Sequence, residues 1–286
     1  MTQIQVGTKA TWLRVNFSGG RIEVVTARFE QLPSRLRKFA TLERFGDVPT
    51  LIIRKDDEPR PCILWIHGRT ADKELDPGRY SRYLSRGINV CAVDLPGHGE
   101  RFAENLQSAE AAFDVVMQMS EEVDGVIQSL EAIGGFDTTR VAIGGMSAGG
   151  IAIILRLVHS HPFKACVLEA TMGQWRLSRH HKIFSHLSDA QFNNINPADH
   201  LSGWEEIPVL AFHARHDEWI PYPAQEEFIS RLKQMYQNPA LIEFVTFDHT
   251  GAPKEHMGFG RQSAFVKEVQ VEFLARVLQV SLEETT

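Results

Sequence analysis

The 286-residue sequence is poor in cysteine, in long apolar runs and in concentrated positive charge. There are only three cysteines, Cys62, Cys91 and Cys166, an odd number without disulfide-type spacing. That argues against a disulfide-stapled scaffold and for reduced thiols in a reducing compartment. Each lies in an apolar, strand-like run (PCILWI, NVCAVDL, KACVLEA), the setting of an inert packing thiol rather than a nucleophile. No apolar stretch approaches the ~20 residues of a membrane-spanning helix. The first residues, MTQIQVGTKATWL, lack the basic segment and apolar core of a signal peptide. The expectation is a cytoplasmic protein without a membrane partner. RLRK at 35–38 is the densest basic run, and the formal net charge is -6, so there is no general attraction for nucleic acid. No internal repeat, low-complexity tract or interdomain linker interrupts the chain.

What is present is ordinary globular composition, 43% hydrophobic and 23% charged, in a length that suits one large α/β domain. Residues 11–30 hold two alternating runs around Ser-Gly-Gly, a hairpin pattern. TLERFGDVPTLIIRK continues as antiparallel strand. From residue 61 the pattern changes to short apolar runs alternating with amphipathic stretches: PCILWIHG, INVCAVDL, RVAIGGMS, FKACVLEA, IPVLAFHA and LIEFVTFD between helical segments. Strands that are apolar throughout, separated by helices, indicate a parallel sheet covered on both faces. The fold expected is a mostly parallel, doubly wound α/β sheet with N-terminal antiparallel strands. Phe265, Val269, Phe273 and Val277 recur every fourth residue and predict the buried stripe of the last helix. Residues 171–206 do not fit the alternation; an insertion of this length is commonly a lid or binding segment.

The junction IGGMSAGGI at 143–151 carries the chemistry. Gly145-Met146-Ser147-Ala148-Gly149 is a G-x-S-x-G pattern lying between a strand and a helix, the context that gives the pattern meaning. A turn that sharp brings backbone segments together, so residues two before and two after the serine must be glycine. The following helix aims its free N–H groups at the corner. A phosphate-binding loop would also collect glycines, but neither Gly-Lys-Ser/Thr nor G-x-G-x-x-G is present.

A serine hydroxyl needs a base, and the base an orienting acid; on a doubly wound sheet these come later, at strand ends. Asp217, just after IPVLAFHA, is the acid candidate, with Glu218 a weaker rival. Two histidines compete as base. His249 sits where LIEFVTFD stops, and His256 lies deeper in a glycine-flanked loop that can swing over the sheet edge, which favours His256 and leaves His249 the alternative. His213 and His216 precede Asp217 in a metal-like spacing, but no third ligand cluster accompanies them, so no metal is expected. The oxyanion hole requires two backbone donors. Ala148 N–H, after the nucleophile, is one; Arg69 N–H, in the loop His67-Gly68-Arg69 after PCILWI, is the other.

With HGRT, DLPGHGER, GMSAG, HARHDEWIP and HMGFG in this order, the chain resembles the α/β-hydrolases over roughly residues 50–280. It looks most like bacterial serine esterases near the prolyl-oligopeptidase and dienelactone-hydrolase branches. The resemblance implies a Ser-His-Asp triad, an acyl-enzyme intermediate and no cofactor. Dienelactone hydrolases carry cysteine where this chain has Ser147, which points to cleavage of carboxylic esters of small molecules. The alternatives are a peptidase or amidase of the same fold, or a non-catalytic binding protein; residues 1–60 are too few for the propeller-like domain of an oligopeptidase. One domain over 1–286 is expected, with 1–45 as a β extension and 171–206 as a short helical cap. In that cap Trp175, Phe184 and Phe192 are candidates to wall an acyl pocket, and Arg176, Arg179, His180 and His181 to face an anionic group.

Overall fold

The computed structural model describes residues 3–5, 12–18, 21–26, 29 and 31–280. The apolar runs form an eight-stranded sheet from β4 (Ala40–Phe45), β5 (Val48–Ile53), β6 (Arg60–Ile66), β7 (Asn89–Val93), β8 (Phe136–Met146), β9 (Ala165–Glu169), β10 (Val209–Ala214) and β11 (Ile242–Phe247). The order is β11-β10-β9-β8-β6-β7-β5-β4. β6 through β11 pair in parallel, while β5 runs antiparallel to β7 and β4 antiparallel to β5. Helices α3 (Ala112–Ile133), α4 (Ala148–Leu157) and α6 (Tyr222–Met235) pack one face, and α2 (Pro77–Ser85) and α7 (Ser263–Val277) the other. The fold is that of the α/β-hydrolases. Strands β5, β7 and β9 are buried along their whole length, which is why they read as unbroken apolar runs.

Order reverses at β6, which has β7 on one side and β8 on the other. A crevice opens beyond strand ends at such a switch point. Here it is bounded by the ends of β6 and β8; the HGR segment follows the first, and GMSAG spans the second.

Strands β1 (Gln3–Gln5), β2 (Trp12–Ser18) and β3 (Arg21–Thr26) form a separate antiparallel sheet, with β2 and β3 as the hairpin read from the alternation. Gly19 and Gly20 of its connection fall outside the described residues. The expected boundary at 45 shifts: Ala40–Phe45 is the edge of the main sheet, and α1 (Ser34–Arg37) precedes it. The stripe expected on α7 also shifts. Phe265 is half exposed, and the buried positions are Val266, Gln270, Val271, Phe273 and Leu274. Gln270 reads as a surface residue in sequence but is buried because its side chain meets Arg79, Tyr83 and Glu169.

The 171–206 segment holds α5 (Asp189–Ile195) among short 3₁₀ turns. Its aromatics do not wall a pocket. Trp175, Phe184 and Phe192 are buried against one another and against Phe113, with ring centroids 5.0–6.5 Å apart. They anchor the segment to α3 rather than facing substrate space. Arg176 pairs with Asp199 and Asn193, and Arg179 with Asp189, the latter guanidinium also stacking 4.8 Å from Phe192, so both arginines knit the segment internally. Among the described residues no helix is long and apolar enough to cross a membrane.

Candidate active site

Ser147 stands between β8 and α4 with φ 52° and ψ -117°, left-handed space that a non-glycine residue enters only when its surroundings impose it. Those surroundings are visible. Ser147 N–H donates to the Glu169 carbonyl at 2.8 Å, and its own carbonyl accepts from Ile151 N–H and the Thr171 hydroxyl. A Cβ on Gly145 would lie 2.8 Å from the Ile66 carbonyl oxygen, and one on Gly149 only 2.2 Å from it. The two glycines therefore let β8, α4 and the end of β6 touch backbone to backbone. Gly144 and Gly150 serve packing of the same corner, against the Trp65 ring and Thr171.

Asp217 follows β10 in a tight loop, its side chain fully buried. Oδ1 accepts from Trp219 N–H and Ile220 N–H, each at 2.8 Å, and Oδ2 lies 2.7 Å from His256 Nδ1. A carboxylate only accepts, so Nδ1 carries the proton and Nε2 is free to accept; it lies 3.0 Å from Ser147 Oγ. The structure thus brings Ser147, His256 and Asp217 into one hydrogen-bonded line. Glu218 instead pairs with Lys254, 2.8 Å away. His213, behind Asp217, donates from Nε2 to the Ile220 carbonyl, while its buried Nδ1 has no partner; burial lowers its pKa and favours the neutral ring. Only half of this ring is satisfied, less than a structural strand-end histidine would have.

The loop carrying His256 is bent by backbone: Lys254, Glu255 and Phe259 have φ of 58°, 47° and 60°. Glu255 folds back to accept from Thr250 N–H, the Thr250 hydroxyl and Gly251 N–H. This carries His256 over the sheet edge, where the Trp219 ring lies 5.1 Å away. His249 stays at the strand end with its side chain 67% exposed, stacked on His216 and 3.8 Å from Glu255. It does not meet Ser147.

The donor loop is fixed by His67. Its Nε2 accepts from Leu95 N–H at 3.0 Å, so its Nδ1 donates to the Gly68 carbonyl at 2.7 Å. Burial pulls its pKa down to about 4, against the opposing pull of the Gly68 carbonyl and Asp94. Arg69 and Ala148 flank the serine, and among the described residues neither backbone N–H meets a protein acceptor. A Cβ on Gly68 would be 3.4 Å from Ser147 Cβ, a measure of how close this loop runs.

Sequence reasoning missed several residues. Asp94 joins the HGRTADKE and DLPGHGER segments: it accepts from Lys73 N–H, Lys73 Nζ and Glu100 N–H at 2.8–2.9 Å. A Cβ on Gly99, whose φ is 55°, would overlap its carboxylate, so the glycine was the available signal. Arg79 and Glu169 form a buried ion pair at 2.7 Å beneath the site, and Arg79 stacks 3.9 Å over Trp65. His181, on the 171–206 segment, donates from Nε2 to the Trp219 carbonyl at 2.9 Å, tying that segment to the acid loop. Burial lowers its pKa first, and the charge fields of His256 and Arg69 add to that.

Ser147 opens into a cavity of about 1000 Å³. Its apolar wall includes Trp65, Leu75, Met146, Ile183, Phe259 and Val266, while His180, His181 and Lys182 reach it from the 171–206 segment. The three cysteines are buried elsewhere in the sheet, and burial pushes the Cys62 thiol up to about 12, far from a thiolate nucleophile.

Comparison with known proteins fits this geometry. The family model described as the prolyl oligopeptidase family matches residues 79–281. Esterase YjfP of Escherichia coli (strain K12) is 23% identical over 193 residues, 62% of this chain and 77% of that protein. A puromycin-hydrolyzing peptidase of Mycobacterium tuberculosis superposes with a TM-score of 0.67 at 19% identity, over 94% of this chain but 44% of its own. Esterase 2 of Thermogutta terrifontis, solved phosphoramylated by tabun, gives 0.61 at 18% identity over 84% and 95% of the two chains. The chain therefore spans less than half of that peptidase and nearly all of that esterase.

Proposed function

The chain belongs to the prolyl oligopeptidase family and is a serine hydrolase, and from that premise we propose that it cleaves carboxylic esters through Ser147, His256 and Asp217. The observation that carries the proposal is the hydrogen-bonded line from Asp217 through His256 to Ser147 Oγ, at 2.7 and 3.0 Å. His256 Nε2 takes the serine proton as Oγ attacks the ester carbonyl. Negative charge developing on the carbonyl oxygen is held by the N–H groups of Ala148 and Arg69, which have no acceptor to give up among the described residues. Asp217 orients the ring and stabilises the imidazolium. His256 then returns the proton to the leaving alcohol, and a water activated by the same nitrogen releases the acid.

Ester rather than peptide cleavage is supported by two of the relatives, both named as esterases, one of which covers 77% and the other 95% of its own length. The mostly apolar cavity wall also suits an acyl chain. Amide cleavage is the second reading, favoured by the family and by the peptidase neighbour. A panel of p-nitrophenyl acyl esters against matched p-nitroanilides tests both. Esters are expected to turn over well ahead of anilides. Ser147→Ala is expected to lose ~10⁴-fold or more in kcat, and to lose labelling by an organophosphonate probe. Unchanged ester hydrolysis by that variant overturns the proposal.

A further inference from the structure

Charges of both signs line the cavity, and most of them are matched. Lys267 Nζ lies 2.9 Å from Asp76, Arg79 is engaged by Glu169 and Asp76, and Glu218 pairs with Lys254. Asp72 accepts from the Gln31 side chain and from Glu74 N–H. Two cations are different. Among the described residues neither Arg69 nor Lys182 has a carboxylate within 4.0 Å, although both line the cavity. The acid whose field they share, Glu110, is exposed on the surface.

Arg69 is held rather than free. Its Nη2 donates to the Gln107 carbonyl, while its Nε is buried without any partner. The Gln107 carbonyl fixes the guanidinium on a cavity wall to which the 171–206 segment contributes His180, His181 and Lys182. That Nε is closed off from the cavity; what the cavity meets is the rest of a guanidinium whose charge no carboxylate of the described residues matches. A planar guanidinium matches a carboxylate with two parallel hydrogen bonds, and an ammonium lining the same cavity adds a point charge.

We infer that this end of the cavity is a subsite for a carboxylate carried by the substrate, bound by the side chains of Arg69 and Lys182. The inference rests on the reading of Ser147 as an ester nucleophile and adds a substrate class to it. Arg69 then acts twice: its backbone N–H meets the carbonyl oxygen and its side chain the acid. Both groups hang on one residue, so the acid must lie a few bonds from the scissile carbonyl. The class is the half-ester of a short dicarboxylic acid, or an ester of a short hydroxy acid.

Matched pairs test it. On the acyl side, monomethyl adipate is compared with methyl hexanoate; on the alcohol side, 4-acetoxybutanoate is compared with pentyl acetate. In at least one pair the anionic member is expected to have the higher kcat/KM, and added salt should compress the difference. Arg69→Met keeps the backbone donor and is expected to lower the anionic-to-neutral ratio roughly ten- to hundredfold. Lys182→Met, at an exposed position, is expected to lower it by a smaller factor and gives the same readout should Arg69→Met fold poorly. Turnover of neutral esters without preference for either anionic member overturns the subsite and leaves ester hydrolysis standing. So does a ratio unmoved in both variants. No turnover of any of the four esters, with no organophosphonate on Ser147, overturns the underlying reading and the subsite together.

Discussion

Replacing Gly149 by alanine adds one methyl group where two backbones touch. The new Cβ would lie 2.2 Å from the Ile66 carbonyl oxygen and 2.6 Å from that of His67, whereas such contacts do not come closer than 3.0 Å. Either the first turn of α4 or the end of β6 must move by about 0.8 Å. Both are backbone, so no side-chain rotation relieves the clash. Overpacking of this kind costs about 1–3 kcal/mol. The larger consequence is functional. The moving parts carry Ser147 and Ala148 on one side and His67-Gly68-Arg69 on the other, and a displacement near 1 Å in a reacting constellation costs ~10²-fold in rate. Urea unfolding and kcat/KM for a short p-nitrophenyl ester measure the two effects. Gly125→Ala is the control. That glycine is exposed inside α3 with no atom within 4 Å of the added Cβ, and alanine there is expected to stabilise by up to ~1 kcal/mol without changing rate. If Gly149→Ala kept both the wild-type midpoint and the wild-type rate, the steric account of the corner would be wrong.

His256→Ala is expected to lose ~10⁴-fold or more in kcat, whereas His249→Ala, exposed and away from the serine, should stay within about twofold; steady-state kinetics on one ester compares them, and the reverse ranking would reassign the base. Asp217→Asn should lower kcat by ~10⁴-fold, because an amide can turn an N–H toward His256 and reverse the tautomer; a loss under tenfold would count against an orienting acid. The buried His67 gives a pH signature. Its pKa is about 4 when folded and near the ordinary 6.5 when unfolded, so between those values the unfolded chain binds the extra proton. Stability is therefore full above about pH 6.5, falls as the pH drops toward 4, and loses about 3 kcal/mol over that window. Urea midpoints at pH 7, 5.5 and 4 should show this slope, and His67→Gln should flatten it; equal slopes in the two proteins would show that His67 carries none of it.

The amphipathic reading of the last helix shows where local pattern fails. Val266 and Gln270 face inward there while Phe265 is half exposed, because Gln270 completes the polar cluster around Arg79 and Glu169, 101 residues from the latter. Polarity along one helix cannot reveal a partner that distant. The same limit applies to the aromatics of 171–206, whose type fits a pocket wall as well as a core; only the position of Phe113 decides that they are core. Asp94 opens a motif that carried the resemblance and Lys73 lies just past another, yet their pairing needs β7 beside β6, a tertiary fact.

The sequence alone determined whatever is enforced within a few residues or by the face a segment must bury. Apolar runs separated by amphipathic ones determined a covered parallel sheet, and two glycines flanking Ser147 determined a corner too tight for side chains. The order of serine, acid and histidine segments followed from strand ends on such a sheet. Tertiary structure decided what depends on distance across the fold. Ser147 and His256 are 109 residues apart in the chain and 3.0 Å apart in space, and the left-handed loop that closes this gap cannot be told in sequence from one that leaves His249 nearer. It also decided which cavity charges are matched and which are not. An ion pair is a relation between two positions, and a sequence lists the positions without the relation.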